Sequence, residues 1–171
     1  LDECATGMGS RLLRLWLHHP LRDRTVVAAR HAAVGTLLDT GAHAKILVAL
    51  RRMADVERIT ARVALKSARP RDLSGLRDSL ARLPEVTQAM PEAPLPAPAL
   101  LEDMRRDLAI PVECVELLRR AIDAEPASML REGGVIADGY STELDELRGL
   151  QTNAGEFLLA LEVRERERTG I

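Results

Sequence analysis

Residues 42–67, AHAKILVALRRMADVERITARVALKS, decide the fold class of this 171-residue chain. Their large apolar side chains recur at spacings of three or four residues, at Ile46, Leu50, Met53, Val56, Ile59 and Val63. This spacing is typical of one face of an α-helix, since the side chains of a half-buried strand would alternate instead. The stretch therefore predicts helix, and its length leaves room for a break near Asp55.

Similar spacings on both sides of this stretch predict further helices. We expect helices over residues 10–19, 24–38, 70–83, 99–108 and 112–124. Asp23 can cap the second of them, and Pro70 suits the first turn of the third. The apolar side chains expected to face the core on residues 24–38 are Val27, Val34, Leu37 and Leu38.

The amino-acid composition agrees with these local patterns. Hydrophobic residues make up 46% of the chain, yet it has one Trp, one Tyr and one Phe. Strands favour aromatic and β-branched side chains, whereas Ala, Leu, Arg and Glu favour helix because they lose little rotamer freedom there. We therefore predict an all-α multihelical bundle.

Two stretches interrupt the helical pattern. Residues 84–98 hold five of the nine prolines, which predicts a loop or linker of extended backbone. Residues 130–140, LREGGVIADGY, predict a short irregular or extended segment between glycine turns.

A long C-terminal helix is expected to follow this segment. Ser141 or Thr142 can cap it, and its apolar residues are Leu144, Leu147, Ala154, Leu158 and Leu161. Residues 162–168, EVRERER, carry three Glu and three Arg, a composition that suits a helix in solvent. We therefore expect a helical core over residues 1–161 and an arm leaving it over 162–171.

Charge and cysteine content bound the class of protein. The net charge is −2, but residues 1–90 carry 15 basic and 9 acidic residues, and residues 91–171 carry 9 and 17. Such asymmetry suits either a nucleic-acid face or a basic half packed on an acidic half.

Cys4 and Cys114 are far apart, which favours two free thiols in a reducing, cytoplasmic compartment. There is no run of 18 apolar residues. Because Leu1 opens the chain without a leader pattern, we expect an internal fragment.

The sequence offers little material for catalysis or cofactor binding. It has no GxxxxGK[ST] phosphate loop, no HExxH or CxxC pattern, and no nucleophile elbow. We therefore predict no catalytic, cofactor-binding or metal-binding residue. Eight of the 15 basic residues in the first half could meet phosphates, namely Arg11, Arg14, Arg22, Arg24, Arg51, Arg52, Arg58 and Arg62. Of these, Arg11, Arg22 and Arg24 are the candidates for contact with phosphates.

Four stretches together resemble a known family. Residues 6–17 (TGMGSRLLRLWL), followed by PLRD at 20–23, resemble the start of the lever (core) domain of the MutS DNA mismatch-repair proteins. Residues 55–62 and 68–73, including DVERI and ARPRDL, are similar to its central helices. The most specific stretch is 131–148, with REGGVIADGY and ELDELR, and residues 164–171 resemble the point where a lever helix leads into the clamp domain.

The resemblance implies a non-catalytic part of a larger protein. It implies that residues 1–161 belong to the lever domain and that 162–171 start the arm leading to the clamp. Family members are homodimers that bind mismatched duplex DNA, and a separate ATPase domain binds ATP and magnesium. The expected partners are thus the clamp, the ATPase domain and the second half of the lever, with DNA bound through the parent protein and no membrane partner. The alternative is a stand-alone helical module that binds DNA or protein.

The resemblance also singles out six residues as a structural signature, namely Gly133, Gly134, Gly139, Glu143, Asp145 and Arg148. Our hypothesis is that residues 130–140 fix where the last helix leaves the core. The glycines would then supply backbone with positive φ, or a close approach that a Cβ would forbid. The alternative is that they merely loosen a surface turn.

Overall fold

The structure of the chain is a computed structural model, which describes residues 2–91 and 98–170. Within these ranges the chain is helical, and its one β pairing is an isolated antiparallel bridge between Ile122 and Ile136. The helices are α1 (Gly7–His18), α2 (Arg24–Asp39), α3 (Ala42–Leu50), α4 (Val56–Ala64), α5 (Pro70–Ala81), α6 (Leu83–Ala89), α7 (Ala99–Asp107), α8 (Val112–Ala121), α9 (Thr142–Thr152) and α10 (Ala154–Thr169). A single 3-10 turn covers Leu130–Glu132. The all-α prediction is confirmed.

Among the described helices, none is individually long and apolar enough to cross a membrane. Only α2 and α3 taken together, with a bend of 97° between them, reach the required length and composition.

The helix starts follow the capping pattern of the sequence. The Asp23 carboxylate accepts hydrogen bonds from the backbone N–H groups of Thr25 and Val26, at 2.8 and 3.3 Å. Ser141 Oγ accepts one from Leu144 N at 3.3 Å, and Pro70 is the first residue of α5. These caps satisfy N–H groups that a helix leaves without a partner in its first turn.

The expected break near Asp55 is present, and α5 fixes it. Ser79 Oγ is buried, accepts a hydrogen bond from Ala54 N at 2.9 Å and donates one to Gly75 O at 2.7 Å. Asp55 then caps α4 by accepting from Arg58 N at 3.1 Å. The chain turns here because both sides of the break have their polar groups satisfied.

Two apolar clusters hold the helices together. The first joins α4, α5 and α8 through Ile59, Leu76, Leu118 and Ile122. The second joins α2, α6 and α7 through Ala33, Met90 and Leu101, with Leu37 and Ile46 packed against it. Met90 directly follows α6. Neither of these two small clusters includes a residue of α9 or α10.

The predicted loop over residues 84–98 is wrong for its first part. Residues 84–89 belong to α6, with Pro84 in its first turn. A proline is tolerated there because its missing N–H would have no partner within the helix anyway. Val86 is buried, which gives this short helix a packing role. Residues 92–97 of the predicted loop lie outside the described residues.

The predicted core-facing side of α2 also needs correction. Val34 and Leu38 are 53% and 59% exposed, whereas Ala33 is buried and Leu37 packs beside it. The small side chain of Ala33 lies in the cluster with Leu101 of α7. Helix α2 is therefore apolar on two sides, and only one of them is covered.

The C-terminal helix is divided by a short break. Helix α9 ends at Thr152, Asn153 has φ −107° and ψ 27°, and α10 begins at Ala154. Helix α10, with 16 residues, runs through positions 161 and 162 without interruption. The division into core and arm at that point stays a prediction.

Candidate functional site: the junction of α8 and α9

The chain reverses direction between α8 and α9, and we call residues 121–148 the junction. Asp123 N donates a hydrogen bond to Val135 O at 2.9 Å, and Ala137 N donates one to Ala121 O at 3.0 Å. These bonds flank the Ile122–Ile136 bridge, and both Ile122 and Val135 are buried. The extended piece predicted from the sequence is thus fixed to the end of α8.

Arg148 connects α9 to this extended piece. One terminal guanidinium nitrogen donates to Asp138 Oδ1 at 2.6 Å, and the other donates to Ile136 O at 2.8 Å. Asp145 lies 3.5 Å from the same arginine, and its other oxygen accepts from Gly139 N at 2.9 Å. The first two turns of α9 are therefore held against residues 136–139 by charge-assisted hydrogen bonds.

The three signature glycines all have positive φ. The values are +72° at Gly133, +61° at Gly134 and +80° at Gly139. A Cβ built at any of them would meet no atom within 4 Å. Backbone conformation, not a close approach, is therefore the feature that suits glycine at these positions.

Glu143 is the signature residue that the junction does not engage. Its side chain is exposed and makes no hydrogen bond or ion pair with any described residue. It lies in the first turn of α9, where a negative charge interacts favourably with the helix dipole.

Arg77 of α5 completes the junction, and sequence reasoning missed it. One terminal nitrogen donates to Asp123 O at 2.9 Å and to Ile122 O at 3.3 Å, and the other donates to Ala124 O at 3.0 Å. Its side chain is only 13% exposed. Because its main acceptors are backbone carbonyls, which every residue carries, the sequence contains no signal that would reveal them. Arg77 and Arg148 thus hold the Ile122–Ile136 bridge from two different helices.

The phosphate-contact candidates have contrasting surroundings. Arg11 donates to both carboxylate oxygens of Asp55, at 2.7 and 2.8 Å, and to Glu57 Oε2 at 2.7 Å. The Arg11 hydrogen bonds hold the pKa of Asp55 at about 2, below its ordinary 3.8. Two carboxylates next to Arg11 weigh against a contact with phosphate. Arg22 and Arg24 are exposed and form no ion pair within the described part of the chain.

Within residues 2–91 and 98–170, no three His, Cys, Asp or Glu side chains come together in a way that could hold a metal ion. The polar contacts that the junction does provide join backbone segments and orient a helix.

The fold and the junction together define a class of protein domain, an all-α scaffold in which partly buried arginines join helices to backbone carbonyls of a neighbouring segment. The family model of MutS domain III matches residues 1–168 of the chain. Because this match covers nearly the whole sequence, the chain belongs to the MutS domain III family, and the resemblance seen in its motifs is confirmed. It is therefore a fragment of a protein of the MutS mismatch-repair family.

Proposed function

We propose that this chain acts as a mechanical lever in a MutS-type mismatch-repair protein. It links the clamp that holds mismatched DNA to the domain that hydrolyses ATP, and it has no catalytic step of its own. ATP and magnesium would bind in that other domain. The observation that carries the proposal is the double attachment of the junction, by Arg77 from α5 and by Arg148 from α9.

Two physical features support transmission through this junction. Packed helices move as rigid bodies between discrete arrangements, so a displacement of one end is carried to the other. Arg148 makes the direction of α9 depend on the position of residues 136–138, which are themselves bonded to α8. A change in α10 would then reach α8 and α5 through hydrogen bonds of fixed geometry.

The experiment introduces Arg148→Ala into the full-length protein that contains this chain. We expect binding to a mismatched duplex to persist, while ATP-dependent release slows by about fivefold or more, the lower range of typical allosteric coupling. The control is Arg119→Ala, which removes an exposed i,i+3 pair with Glu116. If Arg148→Ala and Arg119→Ala release DNA at the same rate as the wild type, the lever role is wrong.

A stand-alone DNA-binding module is the second candidate, and the unpaired, exposed Arg22 and Arg24 favour it within the described residues. Titration of the chain with duplex DNA at two salt concentrations distinguishes the two functions. A DNA-binding module requires clear affinity that falls steeply as salt rises. The lever requires weak binding at most.

A further inference from the structure

Several large apolar side chains of α1 and α2 are exposed to solvent. A groove of about 410 Å³ opens between the end of α1, the following turn and α2. We call it the α1–α2 groove, and it is lined by Trp16, Pro20, Leu21, Val27, Arg30, His31 and Val34. Its α2 residues are spaced by three, one and three positions, so they form one continuous face of that helix.

The floor of the groove is apolar and open to solvent. Trp16, Leu21 and Val34 are all exposed, and Leu17 and Leu38 extend the apolar surface beyond the groove itself. On α2 itself, the exposed apolar residues of this surface are Val34 and Leu38, one helical turn apart, and Val27 beside them is half-buried. Contiguous apolar surface of this kind marks sites of protein association.

The segment of the chain that carries the groove is rich in positive charge. Between residues 4 and 38 the chain has five arginines and a single acidic residue, Asp23. The Asp23 carboxylate is used to cap α2, and of the five arginines only Arg11 has carboxylate partners within the described residues. The groove therefore lies in a positively charged segment of the chain, with Arg30 in its lining.

Arg30 shows what kind of charge the groove would accept. Its guanidinium carbon lies 3.6 Å from the centroid of the Trp16 ring, which is a cation–π contact. Stacking uses the face of the guanidinium group and leaves its N–H edges available, and these edges match a carboxylate. None of these N–H groups donates to a described residue.

From these observations we propose that the α1–α2 groove binds an acidic amphipathic helix of a protein partner. Apolar side chains of that helix, spaced by three or four residues, would occupy the floor. Its carboxylates would pair with Arg30 and with Arg22 and Arg24, which lie next to the lining residues along the chain. This is the helix-in-groove mode of recognition. Duplex DNA fits the surface less well because its phosphates would leave the apolar floor uncovered. The inference is independent of the lever function.

The test uses the single tryptophan of the chain, Trp16, as a reporter inside the groove. The probe is a synthetic amphipathic helix of about 18 residues, with leucines at spacings of three and four and glutamates beside them. We expect a saturable blue shift of Trp16 emission whose affinity falls as salt rises. Arg30→Gln and Val34→Asp should each weaken binding by about tenfold or more.

The control is Val48→Asp, at an apolar position of α3 that is 61% exposed and lies outside the groove. It should leave the affinity unchanged. Equal weakening by all three substitutions, or no blue shift with the peptide, would overturn the proposal. So would an equally tight complex with a peptide carrying glutamine for glutamate. If Trp16 emission responded to duplex DNA and not to the peptide, the groove would be assigned to DNA. If the emission shifted with protein concentration in the absence of peptide, the groove would be assigned to a second copy of the chain.

Discussion

At the scale of single residues, Gly133 shows how backbone conformation limits the junction. Its φ of +72° with ψ of −167° is a combination that essentially only glycine adopts. The space around it is open, so a side chain would be strained without touching a neighbour. Gly149, within α9, is also surrounded by open space but has helical backbone. Because both positions have open space, a difference in stability between alanine substitutions at the two glycines would come from backbone conformation and not from steric contact.

We expect Gly133→Ala to lower the free energy of unfolding by about 1–3 kcal/mol, the range for non-glycine residues in such regions. Gly149→Ala should instead raise it by about 0.5–1 kcal/mol, because alanine is favoured within a helix. Urea denaturation of both variants measures the difference. Equal stability of Gly133→Ala and wild type would mean that this backbone is not held in place.

The Arg11–Asp55 pair predicts a dependence of stability on pH. Because Arg11 lowers the pKa of Asp55 to about 2 in the folded chain, the pair stabilises the fold above the ordinary carboxyl pKa of 3.8. That stabilisation is lost as the pH falls from about 4 towards 2. Asp72, whose pKa is lowered mainly by its hydrogen bonds from Arg62, contributes in the same direction.

Substitution of Asp55 by asparagine should therefore flatten the decline in unfolding free energy between pH 4 and 2. Denaturation in urea at several pH values across this interval gives the slope. Asp103→Asn is the matched control, because the Asp103–Arg106 pair lies in solvent. If the unfolding free energy of Asp55→Asn declined with falling pH as steeply as that of the wild type, the Arg11–Asp55 ion pair would contribute nothing to folding.

At the scale of elements, α5 organises the molecule. Its Asp72 pairs with Arg62 of α4 at 2.7 and 2.8 Å, its Ser79 fixes the break before α4, and its Arg77 binds the carbonyls that follow α8. Leu76 lies between these groups in the larger apolar cluster. A single helix of 12 residues thus sets the positions of both α4 and the junction.

Removal of the Arg77 side chain tests this role. Arg77→Ala leaves three carbonyls without their donor, and we expect a loss of about 1.5–3 kcal/mol, the range for hydrogen bonds that involve a charged group. Arg77→Lys should recover only part of it, since an ammonium group cannot span the three oxygens as a planar guanidinium does. Arg119→Ala should change stability by less than about 0.5 kcal/mol. Thermal and urea unfolding would contradict the role if Arg77→Ala matched Arg119→Ala.

At the scale of the whole molecule, the surface is large for the mass. The accessible area is 12813 Å², against about 8,300 Å² for a compact monomer of 18.8 kDa. Part of the difference lies in the last two helices, since α9 has no buried residue and Phe157, Leu158 and Leu159 of α10 are exposed. Helices α9 and α10 therefore leave much of their apolar surface open to solvent.

We therefore expect the isolated chain to self-associate or to bind a dye specific for apolar surface. Leu158→Lys combined with Leu159→Lys should reduce either response, because these side chains are 62% and 65% exposed. Light scattering and dye fluorescence at rising protein concentration measure it. A strictly monomeric chain that binds no dye would show that the exposed apolar surface is without consequence.

Local features of the fold could be predicted from the sequence. The caps at Asp23 and Ser141, the helix start at Pro70 and the break near Asp55 depend on residues close together along the chain. The irregular segment over residues 130–140 was likewise visible in its glycines. Helix α6 was missed because a proline-rich composition indicates extended backbone even where one proline opens a helix.

The sequence alone determined that the chain is helical, where most helices start, and which family it resembles, because periodicity, caps and motifs are local properties. Only the tertiary structure decided that Arg11 meets Asp55, that Arg77 binds the end of α8, and that one apolar side of α2 stays uncovered. The physical reason is that these contacts join residues more than forty positions apart or depend on which face a neighbouring helix occupies. The spacing of apolar residues within one helix carries no information about such distant contacts or about which face a neighbouring helix covers.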